Sequence, residues 1–106
     1  MDKVDIKLTH DNAIEVSDLL RIMAHPERLR VLCQLTQGEA GVTQLQKCSS
    51  LSQSAFSQHL TVLRKQGLIQ ARKASQQVFY SLADSRVNQL IYHLHMVFCS
   101  EFSVNQ

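Results

Sequence analysis

Apolar residues return along the chain with two different periods, and the change of period divides it into elements. Up to about residue 67 the spacing is helical. Ile14, Leu19, Leu20, Ile22 and Met23 predict a helix over 13–24, capped by Asp11 or Asn12. The stretch HPERLRVLCQLTQG predicts a second. Pro26 stands in its first turn, where the missing N–H costs little, Glu27 favours the positive end, and Gly38 stops it. Val42 to about Ser49 reads as a short third helix, with Thr43 or a neighbour near its start. Ser52 caps a fourth, which ends at Gly67 with Arg64 and Lys65 in its last turn. The period then drops to two. Ile69 and Ala71, then Val78, Tyr80 and Leu82 against Phe79 and Ser81, predict two strands joined by a polar turn at 74–77. Asp84 caps a long last helix with Val87, Leu90, Ile91, Leu94 and Phe98 at helical spacing.

The fourth helix is sharply two-sided. At 100° per residue, Gln53, Ser54, Ser57, Gln58, Thr61, Arg64 and Lys65 fall within one arc of about 140°, while Phe56, Leu60 and Leu63 share the far side. The polar arc holds amides, hydroxyls and cations but no carboxylate, which an ordinary solvent-facing helix would use to pair its cations. Amides and hydroxyls meet base edges; Arg and Lys meet phosphate. A short turn joins this helix to the one before it, as in a helix-turn-helix.

Charge sharpens that picture. The net charge of the 106 residues is only +2, but all nine acids lie at or before Glu39 or at or after Asp84. Between them stand five cations, Lys47, Arg64, Lys65, Arg72 and Lys73, with no acid. Such a split marks one surface for a polyanion. Lys47, Arg64, Lys65, Arg72, Lys73 and Gln76 are the expected phosphate contacts. Gln53, Ser54, Ser57, Gln58 and Thr61 are the expected base contacts.

The remaining composition narrows the class. The length suits one small domain, and 44% apolar residues with a single proline fit a folded chain. The polar start MDKVDIKLTHDN lacks the apolar core of a signal peptide, and no run is long enough to span a membrane. Three cysteines are too few and too odd for a secreted disulfide scaffold, so a cytoplasmic chain with reduced thiols is expected. No catalytic constellation or phosphate loop stands out, so neither an enzyme nor a cofactor is expected. A domain used only for protein contact is the competing class, and the acid-free middle argues against it. The last helix carries a second apolar stripe, Tyr92, Met96 and Cys99, beside its core stripe. A second copy is its simplest cover, and two copies about 34 Å apart would read successive major grooves.

HPERLRVLCQL, LSQSAFSQHLTVLRKQGLI and RKASQQVFYSL resemble the ArsR/SmtB winged helix-turn-helix repressors of bacteria over roughly residues 13–100. The resemblance implies a mainly α fold with a β-hairpin wing, forming a homodimer through its first and last helices. Residues 1–12 would be an N-terminal tail and 13–102 the domain, with a reading helix at about 52–66, a wing at 69–82, a dimerisation helix at 84–102 and a tail at 103–106. It also implies double-stranded operator DNA as partner, released when an inducer binds.

Many members of that family sense metals, and this chain lacks their ligand patterns. Thr43, Gln44 and Leu45 stand where paired cysteines would lie, and Arg86 follows Asp84 where a histidine is expected. His93 and His95 lie on different sides of their helix, and His95 with Cys99 is two ligands short. No metal site is expected. His10 and His25 read as polar or capping residues, and His59 as facing the buried side. Cys33, four after Leu29, is expected on the core side of its helix, where an isolated cysteine would be a small hydrophobe. RLRVLCQL and HMVFCSE, however, resemble the cysteine segments of the family's persulfide-responsive branch. That implies Cys33 and Cys99 as redox-sensing residues joined by a disulfide or polysulfide bridge, with a persulfide or polysulfide as inducer. Cys48 has no counterpart there. Two alternatives stay open: a metal- or oxidant-sensing repressor, or a redox-insensitive regulator that displaces a silencing protein at virulence promoters.

Overall fold

The structure, a computed structural model, describes residues 7–99. In chain order they form α1 (His10–Met23), α2 (Pro26–Leu35), β1 (Ala40–Gly41), α3 (Val42–Gln46), α4 (Gln53–Lys65), β2 (Ile69–Ala74), β3 (Gln77–Leu82) and α5 (Ser85–Phe98). This is the winged helix-turn-helix arrangement: a helical body, the α3–turn–α4 unit, and a hairpin wing. Among the described residues no helix is long and apolar enough to cross a membrane.

Local chemistry sets most boundaries. His25 caps α2, its Nδ1 accepting the Glu27 N–H at 3.1 Å, and Ser52 caps α4 by accepting the Ala55 N–H at 3.2 Å. Asp84 caps α5, accepting the Arg86 N–H at 3.0 Å. Three boundaries differ from expectation. α1 starts at His10, because Thr9 rather than Asp11 or Asn12 is the cap; its hydroxyl accepts the Asn12 N–H at 3.1 Å. Residues 10–12 of the expected tail are therefore helical. α3 stops at Gln46 instead of Ser49, where i→i−3 bonds from Cys48 to Leu45 and from Ser49 to Gln46 tighten the chain into the turn. β1, two residues long, has no period to announce it. The expected end of the last helix at 102, and the tail at 103–106, lie outside the described residues.

The sheet has the order β1-β3-β2, antiparallel throughout. Ala40 pairs with Tyr80 and Gly41 with Phe79, while β2 and β3 pair from Ile69–Leu82 to Ala74–Gln77. β1 thus anchors the wing directly ahead of α3. Gly67, at φ 83°, closes α4: its N–H reaches the Arg64 carbonyl at 3.0 Å, and the Leu68 N–H reaches that of Leu63 at 2.9 Å. The chain then enters β2 with Leu68 and Ile69 buried.

Phe56, Leu60 and Leu63 of α4 are all buried, as their arc predicts, against Leu32 and Leu35 of α2 and Val87 of α5 in one core. The expected core stripe of α5 holds only for its first two turns. Val87 and Ile91 are buried, but Leu94 and Phe98 are 38% and 68% exposed. The helix runs off the end of the core.

Candidate nucleic-acid interface and thiol site

Burying Phe56, Leu60 and Leu63 turns the opposite face of α4 outward. Gln53, Ser54, Ser57 and Gln58 are exposed there and Thr61 is half-buried. Arg64 and Lys65 are exposed at its end, and Lys47 at the end of α3. Two open clefts flank α3. One, of about 360 Å³, lies against the wing and is lined by Thr43, Gln44, Lys47 and Gln76 among others. The second, of about 330 Å³, includes Lys47, Gln46 and Gln53. The two clefts bring Lys47 beside Gln76 of the wing on one side and beside Gln53 at the start of α4 on the other.

Among the described residues Lys47, Arg64, Lys65 and Lys73 make no ion pair. Arg72 does: its Nε and Nη2 donate to the two carboxylate oxygens of Glu39 at 2.9 and 2.7 Å. That hydrogen bond holds the Glu39 carboxyl below the usual carboxylate range and the Arg72 guanidinium above its own. Sequence reading misses the pair because the partners stand far apart and meet only through the sheet.

His59 faces inward from α4, as expected. Its Nδ1 accepts from Arg28 Nε at 3.2 Å, its ring centroid is 4.1 Å from that of His25, and Arg28 also donates to the Ile22 carbonyl at 3.0 Å. Burial holds His59 below the ordinary histidine value, helped by the charges of His25 and Arg28 and opposed by Glu27. The back of α4 is thereby tied to α1 and α2.

The thiols form a second region. Cys33 is exposed, not on the core side: Val31, Leu32 and Leu35 carry the buried face of α2, and Leu29 is only half-buried. It lines a cavity of about 470 Å³ with Thr36 and Gln37, whose far wall is Asn88, Ile91, Tyr92 and His95 of α5. Thr36 donates its hydroxyl proton to the Cys33 carbonyl at 2.6 Å. Cys99 terminates α5, its N–H donating to the His95 carbonyl at 2.8 Å. The structure therefore sets Cys33 opposite the α5 face that leads, one turn later, to Cys99. Asn88 escapes sequence reading, and Tyr92 is read there only as part of the apolar stripe, although their helical spacing to His95 carries the signal. Cys48 is exposed in the turn after α3, its carbonyl accepting from Arg30. Among the described residues no three His, Cys, Asp or Glu side chains gather as a metal site requires. Arg86, two residues after Asp84, bridges Asp84 and Glu15 at 2.7 Å each and so ties α5 to α1.

Residues 25–71 match the family described as bacterial regulatory protein, arsR family. The chain is 43% identical over 88 residues to the transcriptional activator HlyU of Vibrio cholerae, covering 83% of this chain and 82% of that protein. It is 37% identical over 89 residues to the biofilm growth-associated repressor of Xylella fastidiosa, covering 84% and 78%. The solved structure of V. cholerae HlyU matches with a TM-score of 0.80 at 42% identity, covering 86% of this chain and 99% of that one.

Proposed function

This chain belongs to the arsR family of bacterial regulatory proteins and is a DNA-binding transcriptional regulator, not an enzyme; from that premise we propose that it reads operator DNA as a homodimer and lets go when reactive sulfur bridges Cys33 and Cys99. α4 lies in the major groove, with Gln53, Ser54, Ser57, Gln58 and Thr61 at base edges. Lys47, Arg64, Lys65, Arg72, Lys73 and Gln76 contact phosphate. The carboxylate-free polar face of α4, backed by a buried face and flanked by exposed cations, is the observation that supports this part.

The dimer is supported by apolar side chains left in water. Ile14 and Leu20 of α1, and Tyr92, Leu94, Met96, Val97 and Phe98 of α5, are all exposed. Patches of this kind on a small chain mark contact surfaces, and both helices that carry them flank the Arg86 bridge.

The sensor reading rests on the cavity that sets Cys33 against α5. The Cys33 thiolate attacks the outer sulfur of an organic persulfide RSSH, forming a Cys33 persulfide and releasing RSH. The Cys99 thiolate then attacks the Cys33 sulfur and expels hydrosulfide, leaving a disulfide. Two thiols supply both electrons, and no other oxidant is consumed. A second RSSH adds one sulfur to the bridge and about 2 Å of reach. His95 lines the cavity and precedes Cys99 by one turn, so its imidazole is the group placed to accept a thiol proton. A bridge from α2 to α5 shifts the dimer seam and with it the spacing of the two reading helices. A good base contact is worth ~1–3 kcal/mol, so breaking a few suffices for release.

The experiment combines intact mass with DNA binding on an operator selected from a random duplex pool. Persulfide should link Cys33 to Cys99 within one protomer and release the operator, whereas zinc should do neither. Cys33→Ser and Cys99→Ser should bind DNA without responding, and Cys48→Ser should respond normally. Release of the Cys33→Ser, Cys99→Ser double variant by persulfide would sink the sensor reading. The activator name of HlyU favours a second reading of the output, in which the bound dimer displaces a silencing protein; transcription from a silenced template separates the two.

A further inference from the structure

Of the five cations in the acid-free middle of the chain, Arg72 is the one whose charge is already matched within the described residues. The match has a particular shape. Two parallel N–H groups of one guanidinium meet two oxygens of one anion, which is the geometry an arginine also offers to a phosphate group. The guanidinium carbon lies 5.0 Å from the centroid of the Phe79 ring. Phe79 is directly across from Arg72 in the β2–β3 ladder and across from Gly41 in β1. At Gly41 the ring lies 3.5 Å from where a Cβ would stand. The fork is thus oriented from beneath by an aromatic face and filled from the side by a carboxylate that precedes β1.

Such a pair either braces the wing or occupies its anion site, and exposure decides between them. The two side chains are 57% and 37% exposed. The bidentate geometry lets the pair brace the wing modestly, but its exposure leaves it open to screening and to exchange with another anion. A duplex, by contrast, presents a dense row of phosphates that one solvated carboxylate cannot match. We propose that Glu39 is an intramolecular stand-in for a DNA phosphate: it fills the Arg72 fork in the free protein and is displaced when the wing takes up the duplex. Glu39 then sets how tightly the chain holds any DNA, although it lies outside both the reading helix and the wing. The proposal rests on the DNA-binding role of the wing given above.

Glu39→Gln keeps the size of the side chain and removes its charge. The full-length variant and the wild type are titrated by fluorescence anisotropy with a mixed-sequence duplex over a range of salt, after thermal melts establish that both are folded. The expected result is binding about threefold to tenfold tighter at low salt, from one competing pair removed in each protomer, with the two proteins converging as salt rises. In an Arg72→Gln background most of that gain should vanish. Unchanged or weaker binding by Glu39→Gln would overturn the proposal and leave Glu39 a brace. An equal gain in the Arg72→Gln background would also overturn it, since the charge would then act without filling the fork. If the wild type binds no duplex, the failure belongs to the DNA-binding reading, and the proposal falls with it.

Discussion

His59 sits on α4 yet turns its ring away from the polar arc, against His25 and Arg28. Because burial and the nearby positive charges hold it below its ordinary value, the unfolded chain takes up this proton first as pH falls. The contribution to stability is complete above about pH 6.5, the unfolded value, and is lost as pH drops through the lowered folded value. Urea unfolding between about pH 7 and 5 should therefore show a loss of stability that His59→Gln flattens. On the other face of the helix, Gln53→Ala or Ser57→Ala should cost about tenfold in affinity for the selected operator while leaving mixed-sequence duplex unchanged. Anisotropy on both duplexes checks it, and equal losses on the two would remove these side chains from base reading. Features carried by local chemistry or by one helical period were legible in the sequence: Ser52 and Asp84 as caps through partners two or three positions on, and Phe56, Leu60 and Leu63 as the buried arc of α4. Glu39 was not, because its partner Arg72 arrives only after the intervening elements have folded. Cys33 was placed on the wrong face because Leu29, the neighbour used to orient it, is itself only half-buried.

At the scale of elements, α4 owes its clean end to Gly67. Its φ of 83° is a conformation L side chains rarely adopt, and no atom lies within 4 Å of where a Cβ would stand. The cost of Gly67→Ala is therefore backbone strain alone, about 1 kcal/mol, and should appear as a lower urea midpoint at unchanged slope. The wing should act as a sequence-blind clamp. Lys73→Ala in a dimer removes two phosphate contacts, so the slope of log K against log salt should become shallower by about 1.8. An unchanged slope would mean that the hairpin tip does not touch the backbone. Element type and order were readable because each long element keeps one period over many residues. The exceptions are short: α3 has five residues and β1 two, and their extent is fixed by the sheet and the following turn rather than by their own pattern.

On the scale of the whole molecule, the dominant fact is the apolar surface left by α1 and by α5 beyond Ile91. Val97 is 74% exposed in the single chain, so Val97→Glu should leave the protomer folded while burying a charge in any seam between copies. Sedimentation equilibrium should show dimer affinity weakened by about tenfold or more, with operator binding reduced in parallel. A variant that stays dimeric would place the seam elsewhere. The sequence could hint at this surface through the stripe of Tyr92, Met96 and Cys99, but the point at which α5 leaves the core depends on how far α2 extends beneath it. If a second copy covers this surface, as proposed above, the pairing also has a cost in gene dosage. While chains are scarce, the species that occupies DNA grows as the square of their number, so halving expression cuts it about fourfold. On that reading promoter occupancy switches over a narrower range of protein abundance than a monomer would allow, which would make the regulator's own synthesis rate a second input beside the proposed thiol switch.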